Sequence, residues 1–257
     1  VGLKNWKPEN YGKKFYGPST FRKGIEYSRN LMTVRIAKIL GLEEILQLSK
    51  KLNIYDEIPE LLSVSLGAAE TTLINLTSAY APFANGGKKI EPKLISRIQD
   101  RRGKTIFYKK NRSCLGCDKF LSEQETKYPK IENNFEKVIS EETAYQMTSI
   151  LQGAVKRGTA KKLKSLNVPL AGKTGTTNDN YDAWFIGFSS NLVIGVYIGY
   201  DNPKTLGKFE TGSKAALPIF KDFVEKALYK EDFEEFPIPE SIYLTTLNYD
   251  TGAKAAA

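Results

Sequence analysis

Between residues 183 and 200 the chain reads AWFIGFSSNLVIGVYIGY. Two runs rich in aromatic and β-branched residues, each of strand length, flank Ser190-Asn191, and they predict an antiparallel pair. VPLAGKTGTT, just ahead, supplies a further extended run. A sheet with this much apolar surface needs cover, and helical periodicity on both sides of it in sequence provides that cover. From Gly24 a helical pattern sets Ile25, Leu31, Met32, Val34, Ile36, Ile39 and Leu40 mostly on one face. Gly41 interrupts it, and LEEILQLSKKLNI continues as a second helix. Thr71 or Thr72 caps a third helix with a stripe of Leu73, Leu76, Ala79, Tyr80 and Phe83, and Asn85-Gly86-Gly87 stops it. Ser140 opens a fourth through Ala144, Met147, Ile150 and Leu151, and Leu217 a last one to about Tyr229. KLISRIQD and GKTIFYKK alternate around Asp100-Arg101-Arg102-Gly103 as a hairpin. The expected class is α+β, an antiparallel sheet flanked by helices.

Bulk properties narrow the function. At 257 residues, 41% of them hydrophobic, the chain has enough apolar material for one substantial core. No apolar run approaches the roughly 20 residues of a membrane helix, and the polar, basic start VGLKNWKPENYGKK is no signal peptide. The first residue is not Met, so the chain is expected to be a piece of something longer. A net charge of +9 suits nucleic acid, anionic lipid or an acidic wall polymer. The basic residues are scattered without a stripe of interleaved aromatics, so a solvated basic surface is favoured and no nucleic-acid partner is expected.

The absence of histidine is sharper. It removes Ser-His-Asp and Cys-His catalysis and imidazole bases, leaving Lys, Tyr, carboxylates and hydroxyls for proton transfer. Cys114-Leu-Gly-Cys117 supplies half of a zinc site at most. A local disulfide or free thiols in a surface loop, a shared metal site and redox chemistry stay open there, and no metal or cofactor is expected.

GKTGTT at 172–177 has the outline of a phosphate loop. That loop needs a glycine five residues before Gly172, where Asn167 stands, and a helix afterwards, where NDNYDAWFIGFSS reads as turn and strand. As a strand the segment makes better sense. Gly175 lets another backbone approach, so an extended peptide can add as a strand. Thr174 and Thr176 alternate to one face, suited to a carboxylate, while Lys173 faces the other way with a side chain long enough to reach a neighbouring cleft. A plain turn before a hairpin is the competing reading of the isolated tripeptide.

The tripeptide has company. Ser28-Arg29-Asn30 is an S-x-N element, and S-x-N with K-T-G are two of the three motifs of β-lactamases and penicillin-binding proteins. FYGPSTFRKGIEYSRNLMTVRIAKILG, SLGAAETTLINLTSAYAPFANGG, LQGAVKRGTAKKL, AGKTGTTNDNYDAWFIGFSSNLVIGVYIGYDNP and GSKAALPIFKDFVEKAL together resemble the transpeptidase domain of class A, bifunctional penicillin-binding proteins, over roughly residues 5–230. The resemblance implies a β-lactamase/transpeptidase-like fold. It implies serine acyl transfer on stem peptides ending in D-Ala-D-Ala, within peptidoglycan biosynthesis. Ser28 then matches the proton-relaying serine and Asn30 the residue that holds the peptide amide. Lys173 matches the lysine that biases the relay and attracts the terminal carboxylate. Thr174, Gly175, Thr176 and Thr177 match the substrate-binding strand, with the Thr176 N–H as half of an oxyanion hole. Implied partners are peptidoglycan stem peptides, beta-lactam antibiotics, and the upstream transpeptidase segment and glycosyltransferase module of the same protein. The implied location is the periplasm, at the outer face of the bacterial inner membrane, anchored by an N-terminal segment.

The third motif, S-x-x-K, is absent: no lysine has serine three residues before it. Ser19-Thr20-Phe21-Arg22 ends in arginine, which stays protonated and cannot act as a base. The nucleophile is therefore expected upstream, with the N-terminal part of the fold missing and this chain alone inactive. Residues 1–235 are expected to form a partial transpeptidase domain, with 109–137 an inserted loop and 236–257 a tail. A non-catalytic wall-peptide binding module and a D,D-carboxypeptidase or β-lactamase-like hydrolase are the alternatives.

Overall fold

The computed structural model describes residues 6–55, 57–109, 112–115, 130–133, 135–229 and 233–254, with backbone alone for 112–115 and 130–133. Its centre is a three-stranded antiparallel sheet of β5 (Ala171–Thr176), β6 (Ala183–Phe188) and β7 (Val193–Ile198), in that spatial order. Gly175 pairs with Trp184 and Lys173 with Ile186, while Phe185 pairs with Val196. β5 is an outer strand, and no described strand pairs with its free edge.

Both faces of the sheet are apolar, because β6 runs almost continuously hydrophobic. Ala183 and Phe185 face α6 (Ala216–Ala227), where Phe185 meets Phe220 edge-on with centroids 4.8 Å apart. Phe188 and Ala171 face α4 (Leu73–Ala84), α5 (Glu141–Lys156) and Phe236. Phe185, Phe188, Phe220, Leu217 and Leu163 are fully buried and form the densest part of the core. Helices on both faces of an antiparallel sheet give the expected α+β architecture.

The helix starts follow the expected capping chemistry. Thr72 accepts from the Asn75 N–H and Ser140 from the Thr143 N–H. The hairpin of β1 (Arg97–Gln99) and β2 (Thr105–Tyr108) turns at Asp100, whose Oδ1 accepts the N–H groups of Arg102 and Lys104. This hairpin and the pair β3 (Arg112–Leu115) and β4 (Lys130–Asn133) belong to one excursion. A bridge between Lys88 and Lys137 and the bond from Lys89 N–H to Glu136 C=O pinch its base. Cys117 and the side chain of Cys114 lie outside the described residues, so the cysteine readings stay where the sequence left them. No described helix is long and apolar enough to cross a membrane.

One expectation is corrected. The periodic stretch from Gly24 is two helices, α1 (Phe21–Glu26) and α2 (Asn30–Leu40), followed by α3 (Leu42–Lys51). The break falls at Ser28, which sits at φ +52° without glycine or proline to signal it. α1 docks on α5, whereas α2 packs around the 3-10 turn Leu62–Leu66.

Gly212 ties the loop before α6 to the sheet. Its N–H donates to Thr176 Oγ1 at 3.0 Å, and a Cβ there would collide with the backbone oxygens of Gly175 and Trp184. Gly212→Ala is therefore expected to destabilise the fold by about 1–3 kcal/mol, measured as a lower midpoint in urea.

Candidate active site

The site begins where α1 stops. The Arg29 N–H reaches Gly24 C=O at 2.8 Å and the Ser28 N–H reaches Ile25 C=O at 3.1 Å. These two bonds make a Schellman closure with Ser28 in the left-handed position, which normally takes glycine. A serine there costs about 1–2 kcal/mol. What the fold gains is a hydroxyl within reach of Lys173.

Lys173, on β5, donates from Nζ to that hydroxyl in a short contact with Ser28 Oγ, and to its neighbour's carbonyl, Thr174 O, at 2.9 Å. The residue as a whole is half-buried. Its ammonium is withdrawn from water, and that desolvation pushes its pKa down to about 8. At pH 7 roughly a tenth of such lysines are neutral, enough for the amine to give and take protons with a hydroxyl beside it.

The hydroxyls of the strand's threonines meet neighbouring loops. Thr174 Oγ1 lies 2.9 Å from Thr159 Oγ1, in the loop after α5, and Thr176 Oγ1 accepts from Gly212. Thr177 closes the β5–β6 turn: its hydroxyl accepts the Asp182 N–H at 2.7 Å and its N–H donates to Asp182 C=O at 3.2 Å. Gly175 lies between the two threonines on the outer strand. Ser28, Lys173 and Thr174 are thus brought together from positions 145 residues apart in sequence.

Asn30 is placed differently. It is the first residue of α2, and its carboxamide donates to Glu9 C=O at 2.9 Å. The same N-terminal segment provides Asn10, whose Oδ1 accepts the Leu31 N–H while its Nδ2 holds Lys14 C=O. Asn10 therefore does from a distance what an N-cap does locally. Arg29 stacks on Tyr16, 4.0 Å from the ring centroid, and donates to Ser19 Oγ.

Beneath the Ser28 turn lies a group the sequence did not single out. Glu26 is fully buried, and Arg157 grips it with a fork, Nη2 to Oε1 at 2.6 Å and Nε to Oε2 at 3.1 Å. The Tyr249 hydroxyl donates to Oε2 at 2.6 Å, and Arg22 Nη1 stands 3.7 Å from Oε1. A glutamate within an apolar-looking helix start and an Arg-Gly-Thr run far downstream were its only traces in the sequence.

The comparisons with known proteins agree with the motifs. The family model described as the penicillin binding protein transpeptidase domain matches residues 1–225. Penicillin-binding protein 1A of Rickettsia conorii is 44% identical over 252 residues, covering 98% of this chain and 32% of the relative. Its counterpart in Pseudomonas aeruginosa is 33% identical, covering 98% and 34%. Among solved structures, penicillin-binding protein 1A from Haemophilus influenzae superposes with a TM-score of 0.79 at 30% identity, covering 100% of this chain and 41% of that one. The PonA1 protein from Mycobacterium tuberculosis, in complex with penicillin V, shares the fold with a TM-score of 0.70 at 19% identity, covering 94% and 65%. The chain spans about a third of the length of the curated relatives it matches.

Lys173→Met tests the buried ammonium. Folded Lys173 loses its proton near pH 8, and the unfolded residue near 10.5. The desolvation cost is thus fully present below pH 8 and fades between the two values. The variant is expected to be more stable than the parent at pH 7, on the order of 2 kcal/mol. That advantage should shrink as pH rises toward 10.5, read from urea midpoints across pH.

Proposed function

The chain belongs to the penicillin-binding protein transpeptidase family, and from that membership we propose that it is part of a class A D,D-transpeptidase that cross-links peptidoglycan stem peptides. The observation that carries this reading is the contact of Lys173 Nζ with Ser28 Oγ, which joins the K-T-G strand to the S-x-N turn. The nucleophilic serine comes from an S-x-x-K segment upstream of Val1 in the longer protein, together with the membrane anchor and glycosyltransferase module. Residues 1–235 make up this part of the catalytic domain and 236–257 its tail, at the periplasmic face of the inner membrane.

In this scheme a stem peptide ending in D-Ala-D-Ala lies along the free edge of β5. Gly175 admits its backbone, Thr174 and Thr176 receive the terminal carboxylate, the Lys173 ammonium attracts that carboxylate, and Thr177 ends the substrate-binding strand. As the nucleophile's oxygen bonds to the carbonyl carbon of the penultimate D-Ala, its proton passes to the upstream S-x-x-K lysine, and the Thr176 N–H receives the oxyanion. The C–N bond then breaks, and Ser28, biased by Lys173, relays that proton from the lysine to the departing D-Ala amine. A neutral amine from a neighbouring strand attacks the acyl ester, gives up a proton through the same relay, forms the cross-link and frees the reprotonated serine. A beta-lactam enters as the same carboxylate-bearing acyl donor. Asn30 holds the peptide amide after exchanging the Glu9 carbonyl for it.

A second reading, a non-catalytic wall-peptide binding module, draws on the absence of S-x-x-K from these 257 residues. Fluorescent penicillin separates the two. The full-length protein is expected to be labelled and the isolated chain not, and an unlabelled full-length protein leaves the binding module. Lys173→Ala in the full-length protein should abolish acylation. Ser28→Gly should slow it by about 100-fold or more at unchanged or raised thermal stability, because glycine suits the left-handed turn. Because the carboxylate is drawn to the ammonium form, capture is expected to fall as pH rises through about 8.

A further inference from the structure

Glu26 lies two residues before Ser28, in the last position of α1, with its carboxylate out of reach of water. A buried carboxylate is costly unless every oxygen is paired. Here the pairing comes from three places: Arg22 on its own helix, Arg157 just after α5, and Tyr249 from the C-terminal segment. Gly153 on α5 leaves the necessary room, since a Cβ there would run into Glu26 Oε1. Arg22 also fastens α1 to α5 directly, donating from Nη1 to Ser149 C=O at 2.8 Å and from Nη2 to Ser149 Oγ at 3.1 Å.

The segment that brings Tyr249 is a tight turn. The Asn248 N–H bonds Ala253 C=O, the Gly252 N–H bonds Asn248 C=O, and Asn248 Oδ1 accepts the N–H groups of Asp250 and Thr251. Asp250 meets Lys23 Nζ at 2.5 Å, and the Arg157 guanidinium lies over the Tyr249 ring at 4.9 Å. The turn is thus clipped to α1 at Lys23 and at Glu26, although it lies beyond the residues that the family model matches.

The backbone of Glu26 carries the connection onward. Its C=O accepts the Thr159 N–H at 3.1 Å, Thr159 Oγ1 meets Thr174 Oγ1, and Thr174 adjoins Lys173, whose Nζ returns to Ser28 Oγ. These contacts close a ring through Ser28, Glu26, Thr159, Thr174 and Lys173. We propose that Glu26 is a positioning residue for the Ser28–Lys173 pair, and that the C-terminal turn bearing Tyr249 is the latch that keeps Glu26 in place. The proposal rests on the reading of Ser28 and Lys173 as the proton-handling pair. Its physical content is that the strained Ser28 turn holds its place against β5 because α1 is anchored by a charge that cannot leave its partners. Burial and the bond to Glu26 push the Tyr249 hydroxyl up to about 12, and the bond to Glu26 raises Arg157 further. Both therefore remain donors throughout the pH range in which Lys173 titrates.

The test uses the full-length protein with Glu26→Gln and the milder Tyr249→Phe. Three quantities are read: the fluorescent-penicillin acylation rate against pH, the Lys173 titration midpoint from competitive amine labelling with mass spectrometry, and thermal stability. Glu26→Gln is expected to slow acylation by about tenfold or more, as a small misplacement of reacting groups does. Water reaching a loosened site should also move the Lys173 midpoint upward from about 8 toward the ordinary lysine value, carrying the alkaline fall of acylation with it. Tyr249→Phe should shift both in the same direction by less, and it decides the matter if Glu26→Gln does not fold. Lower stability with an unchanged Lys173 midpoint and an unchanged pH profile would overturn the proposal, leaving Glu26 a packing element. If the parent protein is never acylated but the Lys173 midpoint still moves in the variants, the positioning role stands and the transpeptidase reading falls.

Discussion

The buried carboxylate of Glu26 is the constraint around which this part of the molecule is arranged. An unpaired charge at that depth would cost several kcal/mol, so every element near it is committed to supplying a donor or making room. Arg157 extends from the end of α5, Tyr249 returns from the far end of the chain, and Gly153 withholds a side chain. α1 is six residues long, too short to hold its place by its own hydrogen bonds. It is held by that charge, and by the Arg22 bonds to Ser149. The geometry of Ser28 follows from how α1 is held, and so does the place where the Lys173 ammonium ends.

Two local costs sit side by side at the site. Ser28 occupies a left-handed position that favours glycine, and Lys173 keeps an ammonium where desolvation opposes it. Neither improves folding, and each would be relieved by a one-residue change. Two local rules are thus broken together at one contact, while the surrounding sheet obeys them. The sheet supports them by rigidity. Its two apolar faces are closed by α6 on one side and by α4 and α5 on the other, so β5 cannot yield when Lys173 is pulled toward α1.

The strongest periodic signals were legible in the sequence. The β6–β7 pair around Ser190-Asn191, the Asp100 hairpin, and the Thr72 and Ser140 caps all rest on interactions between residues a few positions apart. The motif residues Ser28, Lys173 and Thr174 were legible as members of a known set, and the fold unites them. What was not legible is long-range. The break at Ser28 lies between Ile25 and Leu31 of the apolar stripe, where no glycine or proline announces it. Asn10 capping Leu31, Asn30 donating to Glu9, and Tyr249 reaching Glu26 each join segments that no sequence window contains. The meaning of Gly153 appears only when the side chain it admits, Glu26, is known.

This division has a consequence for how the site is assembled. One wall, the α1–α2 turn, lies near the start of the chain, the other, β5, lies beyond a long excursion, and the latch on α1 comes from the segment around Tyr249. The excursion is pinched at Lys88 and Lys137, so its hairpins are appended without displacing α4 or α5. Chain closure over such separations costs entropy that no single contact at the site repays. Burial of Phe185, Phe188 and Phe220 in the core opposes that cost, while the Glu26 cluster fixes orientation. A core of this kind tolerates small shifts in packing, whereas a charged fork with fixed hydrogen-bond lengths does not. Placing the stiff element directly under Ser28, and the adaptable apolar core further away, puts the precision at the Ser28–Lys173 contact.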